Sequence, residues 1–197
     1  MFRLGITGGI GSGKTTVCKI FEQYGVPVYY ADLRSKVLVS ENSDLQRELI
    51  QEFGQKTFVD GEYNRAYIAS IVFNDKSRLN VLNSIIHPYV LKDWDSFCIK
   101  HRNHAYVIKE AAIMLETDSK NSIDSVVLVY APEELRIQRI MKRDSIDLDS
   151  IKARINSQMP EEEKLKLANH IIYNDGEHSL IEQVKELHLK YNEHTSY

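Results

Sequence analysis

One octapeptide constrains this chain more than any other stretch. Gly8-Gly9-Ile10-Gly11-Ser12-Gly13-Lys14-Thr15 satisfies the spacing G-x-x-x-x-G-K-[ST] without a mismatch. Its flanks supply the setting that this spacing needs. Phe2 to Thr7 is a short apolar run that reads as a strand, and from Lys14 to Tyr24 the positions Val17, Ile20, Phe21 and Tyr24 fall on one helical face. In a strand, glycine loop and helix, the loop N–H groups turn inward on an anion, and the positive end of the helix dipole lies at the same point. The backbone of Gly9, Ile10, Gly11, Ser12 and Gly13 would cradle the phosphates of a nucleoside triphosphate, with Thr16 in the first helical turn. Lys14 would reach the β- and γ-phosphates, and the Thr15 hydroxyl would ligate Mg²⁺. The bland alternative, a glycine turn that happens to precede a helix, leaves the matching strand unexplained.

A chain of 197 residues, 43% hydrophobic, is long enough for a single α/β domain with a real core and some appended structure. With a net charge of −3 there is no global basic field to hold nucleic acid. No apolar run approaches a membrane span, and the first strand begins with no signal-like segment before it. A cytoplasmic enzyme or switch with no membrane contact is expected, and nothing implies an obligate protein partner. Cys18 and Cys98 lack metal-ligand spacing and read as small buried side chains.

Along the chain, Gly25 caps the first helix and Val26 to Tyr30 form a second strand, ending in Ala31-Asp32. Ligands of open parallel sheets bind beyond the carboxyl ends of the strands, so Asp32 either joins the phosphate cleft or caps the helix that starts at Leu33. From about 33 to 103 the pattern is almost wholly helical, far more than one crossover helix needs, and reads as an inserted acceptor-binding region. Within it Ser43 and Gln46 make a capping-box pattern, Gly54 stops a helix, Asp60-Gly61 marks a turn, and His87-Pro88 breaks the helical run. Ala105 to Ile108 is the third strand, with Glu110 near its end, and Ser125 to Ala131 has the unbroken apolar run of a central parallel strand. Pro132 opens the next helix, Ile171 to Tyr173 is the last strand, Asn174-Asp175-Gly176 is a turn, and a closing helix leads to a polar tail from Asn192.

The segment after the fourth strand carries Arg136, Arg139, Lys142, Arg143, Lys152 and Arg154. Such a cluster is either a solvated helix face or, beside a phosphate loop, a lid over about 139–160 whose arginines fold onto the polyphosphate. Arg139 and Arg143 are four apart and share a face. A guanine-nucleotide switch would need D-x-x-G and N-K-x-D, and neither is present. A kinase is favoured over a switch or a motor ATPase. An alcohol acceptor, unlike a phosphate acceptor, benefits from a placed carboxylate, which suits Asp32.

Taken together, Gly8 to Thr15, Asp32 after its strand, Asn64-Arg65, His87-Pro88, Arg139 through Arg143-Asp144, Gln158-Met159 and Ala168 through Asn174 closely resemble the dephospho-CoA kinases. The resemblance implies a P-loop kinase fold across 1–197, with a parallel five-stranded core sheet, a helical CoA-side insertion and a lid. It implies transfer of the ATP γ-phosphoryl group to the ribose 3′-hydroxyl of dephospho-CoA. Asp32 would meet that hydroxyl, Arg65 and His87 would lie on the CoA side, Arg139 and Arg143 on the lid and nucleotide side, and Asn174 near adenine. Two positions depart from the family pattern: Tyr30 stands where an Asp is common, and Ala112 where a Pro is common. The competing reading is another P-loop kinase acting on a nucleoside or small alcohol.

Overall fold

The computed structural model describes residues 1–73, 75–116, 121–144 and 146–193. In chain order they form β1 (Phe2–Thr7), α1 (Lys14–Gln23), β2 (Val28–Tyr30), α2 (Ala31–Glu41), α3 (Ser43–Phe53), β3 (Phe58–Val59), β4 (Glu62–Tyr63), α4 (Arg65–Val72) and α5 (Lys76–Lys100). They continue with β5 (Tyr106–Glu110), β6 (Ser125–Tyr130), α6 (Glu133–Asp144), α7 (Leu148–Asn156), α8 (Glu161–Leu167), β7 (His170–Tyr173) and α9 (Leu180–Glu193). Most of the polar tail lies outside the described residues.

Five strands make one parallel sheet in the order β2-β5-β1-β6-β7. β1 is central, and the order reverses around it. That is the switch point from which the glycine loop leaves the sheet, where open α/β sheets bind their ligands. Strand composition follows position: every residue of β5 is buried, as are the first five of β6, because parallel strands are covered on both faces. Leu4, Ile6, Val17, Phe21, Ile108, Val127, Val129, Ile172 and Val184 form a continuous apolar core. A fully buried side chain of this size contributes about 1.5–3 kcal/mol relative to exposure.

Contacts divide the chain into two compact units, 1–30 with 100–197, and 31–99. The second unit has its own core of Val39, Leu45, Leu49, Phe53, Ile68 and Leu82. It differs from the sequence expectation in four ways. Asp60-Gly61 turns a short hairpin, β3 against β4, with both residues at positive φ (52° and 82°). This is the backbone of a two-residue hairpin turn, inside a stretch expected to be helical. Asn42, not Ser43, caps α3, its carboxamide accepting from Asp44 and Leu45 N–H. Gln46 reaches back to the Val39 and Ser40 carbonyls instead of closing a capping box. Finally, His87-Pro88 does not break the run, because α5 continues for 25 residues with Pro88 inside it. An interior proline costs roughly 3 kcal/mol, and α5 offsets that by burying Leu82 before it and Trp94 and Cys98 after it.

Candidate functional site

β1 ends by delivering the glycine loop, and the loop is shaped by close approach. A Cβ at Gly9 would sit 2.0 Å from Nη1 of Arg136, and one at Gly13 2.1 Å from Nδ2 of Asn174. Gly13 also has φ 95°, a left-handed conformation that other residues rarely adopt, at the N-terminal cap of α1. No side chain caps that terminus, so the positive end of the helix is left open at the loop. Lys14 Nζ lies 2.9 Å from the Gly8 carbonyl oxygen and 3.3 Å from that of Gly9. Thr15 and Thr16 are exposed in the first turn. Ser12 is fully buried, and its Oγ has no hydrogen-bond partner among the described residues.

The loop is held from the far side of the sheet as well. Asn174, at the end of β7, donates from Nδ2 to the Ser12 carbonyl at 2.7 Å, and its own N–H is anchored on the Tyr130 carbonyl at the end of β6. Arg139 donates from Nη2 to the Asn174 carbonyl at 3.0 Å and to its Oδ1 at 3.3 Å, while the buried Nη1 of Arg139 has no hydrogen-bond partner among the described residues. Arg143 does not join it: its guanidinium pairs with the adjacent Asp144 at 2.6 and 2.9 Å and is largely exposed. That carboxylate holds the Arg143 pKa up, and the guanidinium holds that of Asp144 down. Arg139 and Arg143 share a helix face, but they answer to different partners.

Arg136 is the residue that spacing failed to single out. Only 4% exposed, it lies against Gly9 and pairs with Glu161 at 3.5 Å and Glu133 at 3.8 Å. Lys164, also buried, stands 4.0 Å from Glu161, and burial pushes its pKa down against the upward pull of Glu161 and Glu116. Arg136 precedes Arg139 by three residues, so the i, i+3 pair at the start of α6 was the available signal. On the other flank Glu110 closes β5 beside Ile6 of β1 and Tyr30 of β2. Burial, then Glu110, raise the pKa of the Cys18 thiol. Tyr30 bonds to Glu22, and burial raises its hydroxyl pKa. Both cysteines are buried thiols.

In the second unit Asp32 is exposed in the first turn of α2, which begins at Ala31 with no loop after β2. It is therefore inside the helix and not its cap. Arg65 is the exposed first residue of α4, behind Asn64, whose side chain accepts from Tyr67 N–H at 3.1 Å. His87 is exposed on α5. Arg34 clamps Asp93 through two bonds of 2.8 Å, tying α2 to α5.

The family model described as dephospho-CoA kinase matches residues 2–179. The chain belongs to the dephospho-CoA kinase family. It is 40% identical over 189 residues to the dephospho-CoA kinase of Bacteroides fragilis, covering 94% of this chain and 90% of that one. It is 37% identical over 179 residues to that of Salinibacter ruber, covering 89% and 90%. Among solved structures it is similar to TT1252 from Thermus thermophilus (TM-score 0.86, 31% identity, 96% of each chain) and to the dephospho-CoA kinase from Campylobacter jejuni (0.70, 27%, 98% of each).

As a member of this kinase family the chain is a phosphotransferase, and the loop fits ATP on its own terms. The open helix end, the glycines that leave no room for a Cβ, and the unpartnered buried Ser12 Oγ and Arg139 Nη1 suit a bound polyphosphate. Among the described residues no cluster of three acidic, His or Cys side chains could hold a metal by itself. An ion held jointly by one hydroxyl and phosphate oxygens needs no such cluster. No helix among the described residues is long and apolar enough to cross a membrane.

Proposed function

We propose that this chain transfers the γ-phosphoryl group of ATP to the ribose 3′-hydroxyl of dephospho-CoA, giving CoA and ADP. The observation that carries the reading is the glycine loop at the switch point of the sheet in a chain matched by the family model from residue 2 to 179. The loop from Gly9 to Thr16 wraps the polyphosphate, its Ile10, Ser12 and Thr16 N–H groups holding the shape of the loop, and Lys14 leaves the Gly8 and Gly9 carbonyls to meet the β- and γ-oxygens. Thr15 supplies the hydroxyl for Mg²⁺, which when bound neutralises charge on those phosphates. Asn174 borders the adenine, and the α6–α7 region acts as a lid. Arg139 is already ordered through Asn174, and Arg143 must leave Asp144 to join it; both stabilise charge spreading over the transferred group.

On the acceptor side Asp32 orients the 3′-hydroxyl and takes its proton, and Arg65 and His87 bind the CoA portion. The enzyme works in the cytoplasm without nucleic acid or an obligate protein partner. A panel of acceptors with ATP tests the reading: dephospho-CoA should give the highest kcat/KM, with a 3′-phosphate on the product. Faster phosphorylation of adenosine or a simple sugar would replace it with the small-alcohol kinase.

A further inference from the structure

Gln158 and Met159 stand out in the sequence, yet neither has a place in the chemistry above. They occupy the turn between α7 and α8, where Gln158 N–H is fixed on the Ile155 carbonyl at 3.1 Å. From there Gln158 Oε1 accepts the N–H of Ile10, inside the glycine loop, at 2.9 Å. The next residue, Met159, donates its N–H to Oε1 of Glu116 at 2.8 Å. Two successive residues of one turn thus grip the segments that follow β1 and β5, adjacent strands of the sheet.

We propose that Gln158 is a positioning residue for phosphoryl transfer: by accepting the Ile10 N–H it fixes the curvature of the glycine loop and ties that loop to the α7–α8 turn. Within the loop, Ser12 N–H bonds the Gly9 carbonyl at 3.1 Å and closes a tight turn around Ile10. Ile10 N–H lies within that turn, so its direction sets that of the neighbouring amides. Arg136 and Glu161 press on the same arm of the loop at Gly9, but they act by contact and charge, whereas Gln158 makes a directional bond. A neutral carboxamide suits the task because it accepts a hydrogen bond without placing a formal negative charge beside a polyphosphate. A cavity of about 360 Å³ lined by Gln158, Arg136, Met159, Glu161 and Lys164 leaves room around the side chain. A similar-sized apolar replacement therefore fits without overpacking.

This inference rests on the reading of Gly8 to Thr15 as the ATP site, so ATP binding is measured by calorimetry without acceptor, alongside steady-state kinetics. Gln158→Leu should lower kcat and kcat/KM for ATP about tenfold, the scale of one lost hydrogen bond. The KM for dephospho-CoA should change little. Gln158→Glu retains an acceptor oxygen but adds a charge, so its KM for ATP should rise while its kcat at saturating ATP stays within about threefold of the parent. The proposal is overturned by Gln158→Leu with parental kinetic constants, even if its melting temperature falls. It is equally overturned by tighter ATP binding in that variant, or by a Gln158→Glu enzyme whose kcat at saturating ATP is no better than that of Gln158→Leu. If the parent protein itself binds no ATP, the nucleotide-site reading fails first.

Discussion

The surroundings of the glycine loop and the exposed polar residues of the 31–99 unit are built on opposite plans. Around the loop the polar groups are buried or half-buried and held against backbone: Asn174 on Ser12, Gln158 on Ile10, Arg136 wedged against Gly9. In the 31–99 unit the apolar core is closed, and Asp32, Arg65 and His87 stand on its exterior. The difference teaches where each unit keeps its precision. The first is pre-organised before ligand arrives, which lowers the reorganisation cost of meeting a spreading phosphoryl charge. The second presents charges on helix starts and helix faces, and its affinity must come from ordering long side chains at binding.

The hardest test of this contrast is Lys14→Ala. It removes one electrostatic donor from a preformed cradle, and kcat should fall by roughly 10²–10³-fold with the circular dichroism spectrum unchanged. A folded variant with normal turnover would break the comparison outright. Asp32→Asn comes next: the shape is kept but the base is lost, and kcat should drop about 10²-fold with ATP affinity unchanged, the lower part of the general-base range because phosphoryl transfer has a loose transition state. Near-normal kcat would shift attention to Glu110. Arg139→Ala and Arg143→Ala sharpen the picture within one helix. Losing the arginine that is ordered through Asn174 should lower kcat and kcat/KM together by about tenfold or more, and losing the one paired with Asp144 by less, each measured by steady-state kinetics.

The smallest effect is one of pH. Asp175 accepts N–H bonds from His178 and Glu177, which hold its carboxyl down to about 2. Its unfolded value is about 3.9, so it adds stability that is complete above that pH and is lost as the pH falls through about 2. In thermal melts the deficit of Asp175→Asn relative to the parent should therefore shrink between pH 5 and pH 2. A deficit independent of pH would show that the turn beside Asn174 is held by shape and not by charge.

What was legible in the sequence was local or strongly patterned. The glycine loop is specified by eight consecutive residues, and the Ser125–Tyr130 strand by its unbroken apolar run. The β3–β4 hairpin was missed because two-residue strands have no period to detect, although Asp60-Gly61 marked their turn. Pro88 was read by its local penalty, whereas the helix around it is decided by Leu82, Trp94 and Cys98 packing at a distance. Asn42 outcompeted Ser43 as the cap because its carboxamide reaches two N–H groups. Arg136 and Gln158 were visible as a member of a basic cluster and of a family-like dipeptide, but not where they meet: their partners Gly9 and Ile10 lie more than a hundred residues away, and no local spacing encodes that meeting.

The position of β1 has a consequence for how the chain comes to be folded. This strand is made before the others of its sheet, yet its neighbours are β5 and β6, with Phe2 beside Tyr106 and Leu4 beside Ser125. During synthesis, at about 5–20 residues per second, it waits several seconds for either edge to be paired. Closing loops of that length is entropically slow compared with the helix contacts within 31–99. The glycine loop therefore has no fixed shape on the ribosome until most of the chain has emerged, and the nascent protein cannot grip a nucleotide before its last sheet strands are in place.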